Sequence, residues 1–180
     1  MQNIKKEITL SLYKANLYSL PIIGMILIVM VIPFIMIWGK EHFLEGFRNT
    51  RSFLFIFTLI MGFFLHEVIH FLSYYLIGKV PTKYLKIGFQ IKSITPYAHC
   101  KKPLTASVYR LSAILPGLLL GIIPGIACLI TGNAYIFILT IIFTIAAGGD
   151  FLLIWLLRKI PACFLVQDHP EKAGCIILEN

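Results

Sequence analysis

The sequence predicts an all-α polytopic membrane protein of about four transmembrane helices, with a short β-hairpin-like segment in the cytosol between spans two and three. Three observations predict it. The 180 residues are 58% hydrophobic and only 13% charged, far more apolar than a soluble domain. The apolar residues gather in runs of the ~20 residues that cross a hydrocarbon layer. Between the second and third runs the hydrophobic period changes to two, the period of a strand.

Taken in order, Met1 to Asn16 is a short tail carrying Lys5, Lys6 and Lys14. The first span runs from about Leu17 to Trp38, too long for a signal-peptide core and without a small-residue cleavage site after it, so it is expected to stay uncleaved. Pro21 and Pro33 fall near its ends, where proline interrupts least. A brief polar loop, Gly39 to Arg51, leads to the second span, Ser52 to Ile77. In the next segment Leu85, Ile87, Phe89 and Ile91 alternate with Lys86, Gly88, Gln90 and Lys92, and Ile94 to Cys100 follows as a second extended piece. Together they predict a strand-like insert over 83–100. Thr105 or Ser107 caps the third span, which runs over 107–130 and presents Gly117, Gly121 and Gly125 as a strip for close helix packing. After Thr131-Gly132-Asn133 a fourth span covers Ala134 to Leu157. The tail 158–180 is mixed in character, with a turn at Asp168-His169-Pro170. The whole chain reads as a single membrane-embedded domain.

The net charge of +8 does not point to nucleic acid, because the basic residues lie between apolar runs and form no dense stripe. They report topology instead. Thirteen lie on the side of the N-terminal tail, the insert and the C-terminal tail, against three in the first loop, which predicts a multi-pass plasma-membrane protein with both termini in the cytoplasm. Cys100, Cys128, Cys163 and Cys175 make no CxxC pair, so reduced thiols are expected rather than disulfides or a cysteine zinc site, with lipidation of Cys163 an alternative.

Within the second span stands Leu65-His66-Glu67-Val68-Ile69-His70-Phe71. An ionisable side chain near the hydrocarbon centre costs roughly 2.5–3.5 kcal/mol on insertion scales, so such residues are functional by default. His66 and His70, four apart, project from one helical face and can grip a single metal ion; Glu67 stands about 100° round the helix, able to reach a water on the metal without binding the metal. Glu67 and Asp150 are the two acidic residues within spans. His70 and Asp150 each lie eight residues before the inner end of their spans, about 12 Å at 1.5 Å per residue. That matched depth lets Asp150 complete a His, His, Asp set for Zn2+ with the fourth position open to water. The small residues Ala146 to Gly149 let the fourth helix approach. Alternatives stay open: neutral core histidines, a structural Asp150, or a ligand or supporting contact from His99 or from the Asp168-His169 pair. His99 also reads as a solvated strand residue.

The HEVIH helix, the intramembrane Gly148-Gly149-Asp150 and the basic segment with Pro96-Tyr97-Ala98-His99-Cys100 resemble the bacterial membrane family described as zincin peptidases, similar in plan to site-2 proteases. The likeness covers about Arg51 to Glu179. It implies zinc held by His66, His70 and Asp150, with Glu67 as general base. Site-2 proteases carry an Asn-Pro-rich stretch before the aspartate and a glycine after it, whereas here two glycines precede Asp150 and Phe151 follows, so substrate-positioning and oxyanion residues are not carried over.

The expected activity is a zinc-dependent intramembrane endopeptidase acting on transmembrane or membrane-associated peptides, with the lipid bilayer its other partner. Phe89, Gln90 and Ile91 are candidates for adding an unwound substrate as a strand, against a purely structural hairpin. A metal-dependent lipid hydrolase and a non-proteolytic membrane metalloprotein are the alternatives. The oligomeric state is not legible.

Overall fold

The structure, a computed structural model, describes residues 4–48, 50–90, 95–169 and 173–178. Three of the described helices begin where a side chain replaces a missing helical acceptor, whereas Thr105, expected to cap the third span, makes no such bond. The Ser11 hydroxyl accepts the Lys14 N–H at 3.3 Å and opens α1, Leu12–Trp38. The Ser52 hydroxyl accepts the Phe55 N–H at 3.2 Å and opens α3, Phe53–Leu76. Asn133 does the same for α6, Ala134–Ala146, through the Ile136 N–H at 3.0 Å. The first span thus starts earlier than Leu17, inside the stretch expected to be a tail, and the loop after it holds a short helix, α2, Lys40–Glu45.

The third run is one apolar rod, Ala106–Thr131, built from α4, Ala106–Pro116, a wide π turn over Gly117–Ile122, and α5, Ile123–Thr131. The fourth differs from expectation. It breaks at Ala147 into α6 and α7, Gly148–Leu157, which meet at 45°. Gly148 and Gly149 are weak helix formers at the join, a common cause of a sharp kink. Among the described residues three helices are long and apolar enough to cross a membrane, and a fourth if the bent pair is one span. Phe53, Met36 and Ile130 are more than three-quarters exposed, an outward apolar surface that suits lipid.

The insert forms the expected hairpin: β2, Leu85–Gln90, pairs antiparallel with β3, Thr95–Cys100. The residues joining them, Ile91 and Ser93 among them, lie outside the described residues. The two tails bring the larger surprise. β1, Ile4–Leu10, pairs with β6, Ala173–Leu178, which pairs with β5, Leu165–Asp168, which pairs with the two-residue β4, Leu104–Thr105. The result is a four-stranded antiparallel sheet in the order β1-β6-β5-β4. The His169 N–H donates to the Gly174 carbonyl at 3.1 Å across the β5–β6 connection, while Pro170 is outside the described residues.

One core cluster joins this sheet to the helix ends: Tyr74 of α3, Tyr109 of α4, Leu157 of α7, Cys100 of β3, and Val166 and Cys175 of the sheet. The glycine strip packs as expected, with Gly117 against Phe151 and Ala147, Gly121 against Thr144 and Gly125 against Met30. The close approach at Gly117, where α4 passes into the π turn, seats Phe151 of α7 and with it the neighbouring Asp150.

Candidate metal centre

On α3, His66 and His70 are each 7% exposed, facing the first turn of α7. Asp150 sits in that turn, just past the bend. His66 Nε2 donates to Asp150 Oδ2 at 3.1 Å, and His70 Nε2 lies 3.4 Å from Oδ1. The structure thus brings together the three residues that spacing and depth single out. One ligand atom from each falls within 4.8 Å of the others, so the group could hold a metal ion.

The second nitrogens of the two rings differ. His70 Nδ1–H donates to the Ser112 carbonyl at 3.0 Å. A carbonyl only accepts, so the proton belongs on Nδ1 and the Nε2 lone pair is left for the centre. His66 Nδ1 is buried without a partner among the described residues, and so is Ser112 Oγ.

Glu67 stands beside this group and lines, with Phe63, His66, Pro96, Ile142, Ile145 and Ala146, a cleft of about 380 Å³. Its apolar lining comes from Phe63 of α3 and from Ile142, Ile145 and Ala146 at the end of α6, and its polar lining from Glu67 and His66. Its far side is β3. The Lys101 N–H donates to the Tyr84 carbonyl at 2.9 Å, which sets the phase of the ladder: Tyr97 and His99 bond toward β2, and Pro96, Ala98 and Cys100 turn their backbone groups the other way. That outward edge meets the centre, because the Ala98 N–H interacts with the Glu67 carboxylate. Pro96 has no N–H to lose and is tolerated at an edge.

The same edge is held one step further along by β5. The Cys100 N–H donates to Asp168 Oδ2 at 2.8 Å, the Tyr109 hydroxyl donates to Oδ1 at 2.5 Å, and His99 Nδ1 is 3.4 Å from Oδ2. Burial pushes the Asp168 carboxyl above the usual carboxylate range, against the pull of these three donors. Burial likewise pushes the Cys100 thiol up to about 11 and the Cys175 thiol up to about 12. His99 therefore pairs with Asp168 and not with the His66, His70 and Asp150 group, and the Asp168-His169 alternative is likewise no part of that group. Phe89 is 57% exposed on β2, one strand removed from Glu67. Gln90 ends the same strand, and Ile91 is outside the described residues.

Sequence reasoning missed the Ser112 carbonyl, the Ala98 N–H and the anchoring role of Asp168. Backbone groups carry no residue-type signal, and Asp168 stands in a tail with no periodicity.

The donor set fits zinc. Ligands 2.0–2.2 Å from a tetrahedral ion stand about 3.3–3.6 Å apart, and the three donor atoms, all within 4.8 Å of one another, need only small side-chain adjustments to close on one ion. A histidine ligand also usually donates its other N–H to a carbonyl or carboxylate, as His70 does. A family model described as "Putative zincin peptidase" matches residues 59–165, or 107 of the 180, from the second turn of α3 to the start of β5. No curated protein and no solved structure matches the chain.

Proposed function

The chain belongs to the family described as "Putative zincin peptidase", and from that premise we propose that it is a zinc-dependent intramembrane endopeptidase. Its plan, on this reading, is that of the site-2 proteases. His66, His70 and Asp150 hold the metal and Glu67 is the general base. The convergence of these three side chains from two separate apolar helices, with a carboxylate beside them in a cleft, carries the reading.

Zinc held there supplies Lewis acidity toward water and toward a peptide carbonyl. Glu67 takes the proton from the attacking water on a carboxylate oxygen and returns it to the leaving amine, the work of one group as base and then acid. The Ala98 N–H keeps that carboxylate turned toward the cleft. The Ser112 carbonyl holds the proton of His70 on Nδ1. The apolar wall of Phe63, Ile142 and Ile145 supports a substrate arriving from the lipid, a transmembrane or membrane-associated peptide, and the outward edge of β3 supports its alignment as an added strand. The excess of basic residues on the sheet side supports a plasma-membrane orientation with both termini in the cytoplasm.

The test uses the purified protein in detergent, with zinc content by mass spectrometry and fluorescein-labelled casein as an unfolded-polypeptide probe. Wild type should hold one zinc per chain and cleave. Glu67→Gln should keep the zinc and lose a factor of about 10²–10⁴ in rate, and His66→Ala and Asp150→Ala should each lose the zinc. A zinc-free wild type, zinc surviving both ligand changes, or a Glu67→Gln protein as active as wild type would overturn the proposal. Phospholipid hydrolysis without casein cleavage would favour the lipid-hydrolase alternative.

A further inference from the structure

Among the backbone carbonyls near the centre, the Ser112 carbonyl is the one that receives His70. In a continuous α-helix that carbonyl already accepts the N–H of residue i+4 along the helix axis, and a side chain must compete for its second lone pair. Here residue i+4 is Pro116, the last residue of α4. Proline has no N–H, and its ring crowds the carbonyl four residues back, tilting it off the helix axis. The carbonyl is left without its i+4 donor. Burial makes this consequential: Ser112 is 0% exposed and Pro116 is among the fully buried residues, so water cannot serve as the missing donor. The His70 Nδ1–H fills the gap at 3.0 Å.

From this we infer that Pro116 is a positioning residue for His70: by withholding an N–H from the Ser112 carbonyl, it creates the acceptor that fixes the ring's tautomer and aims Nε2 at the Asp150 carboxylate. The inference rests on the metal-centre reading above for its consequence, though not for its geometry. His66 provides the contrast, since its Nδ1 has no partner among the described residues. The two imidazoles are thus held unequally, and the second of the motif is the one set by a backbone device 42 residues away. The wide turn that begins at Gly117 belongs to the same interruption, because the helical ladder must be re-phased after a residue that cannot donate.

Pro116→Ala restores the donor. Its N–H can close onto the Ser112 carbonyl, and the helix gains a bond while His70 loses one. An ester at position 116, made by placing an α-hydroxy acid there, removes the ring but supplies no N–H. It separates the missing donor from the shape of proline. Two readouts are taken. In metal-free protein labelled with 15N-histidine, wild type and the ester variant should show a slowly exchanging His70 Nδ1–H, and Pro116→Ala should not. In zinc competition against a chromophoric chelator, Pro116→Ala should bind about 10–100-fold more weakly, as loss of a ligand's outer partner does, and the ester variant should bind like wild type. Resistance to unfolding in Pro116→Ala should equal or exceed that of wild type, which a merely structural role for the proline would not allow. A retained Nδ1–H resonance in Pro116→Ala, unchanged zinc affinity, or an ester variant as weak as the alanine variant would each overturn the inference. A wild type that shows the protected Nδ1–H yet binds no zinc would defeat the metal-centre reading while supporting the positioning itself.

Discussion

Replacing Gly117 by alanine should weaken zinc binding although Gly117 is no ligand. A Cβ there would stand 2.6 and 2.8 Å from the Phe151 ring and 2.9 Å from the Ala147 Cβ. Ordinary carbon contacts lie at about 3.5–4.0 Å, so α4 and α7 must part by about 1 Å on that side. Phe151 is 8% exposed and Ala147 is fully buried at the bend, so neither can swing aside. Overpacking of this kind costs about 1–3 kcal/mol in stability. Phe151 directly follows Asp150, and the same shift carries that carboxylate away from two imidazoles whose ligand distances tolerate only about 0.2 Å. Zinc affinity should therefore fall at least about tenfold. The control is Gly149→Ala, adjacent to Asp150 in the chain but with nothing within 4 Å of the added carbon. It should leave zinc affinity unchanged and stability equal or slightly raised, since alanine suits a helix better than glycine. Competition with a chromophoric chelator gives the affinities, and unfolding in graded SDS gives the stabilities. Equal behaviour of the two alanine variants would refute the packing argument.

Three further outcomes follow from the same geometry. Asp168→Ala leaves the Cys100 N–H and the Tyr109 hydroxyl without their acceptor, a loss of about 2 kcal/mol or more; hydrogen exchange over β3 should accelerate, and Asp168→Asn, which keeps an acceptor, should restore most of the protection. In native protein near pH 8, maleimide should label Cys163, which is exposed, and spare Cys100, Cys128 and Cys175. With thiols raised to about 11 and 12, Cys100 and Cys175 expose little reactive thiolate at that pH; intact mass should therefore show one adduct natively and four after denaturation. Removing zinc with a chelator should lower the melting temperature, because a ligand at a hundred times its Kd stabilises by about 2.7 kcal/mol, and Asp150→Ala should abolish the difference.

The apolar runs announced α1, α3 and the rod from Ala106 to Thr131, because a spanning helix satisfies its own backbone and needs only length and hydropathy to be recognised. His66, His70 and Asp150 were legible for a related reason: ionisable groups inside apolar runs are rare enough that helical spacing and depth suffice to pair them. The bend at Ala147 was hidden in a run of uniform hydropathy, where Gly148-Gly149 read as a packing surface. The four-stranded sheet was hidden more deeply. Ile4–Leu10 finds its partner at Ala173–Leu178, and pairing over such a separation leaves no local signal. The anchoring of β3 was lost with it, since Asp168 matters only once β5 lies beside Cys100.

The pairing of β1 with β6 also orders assembly in time. Residues 4–10 leave the ribosome well before residues 173–178 and must wait for them before they can be zipped into the sheet. Long-range pairing of this kind is slow, and Asp168, which clasps the strand facing Glu67, is itself among the late arrivals. A nascent chain that has already inserted its helices still lacks the clasp, so a finished site is reserved for a finished fold.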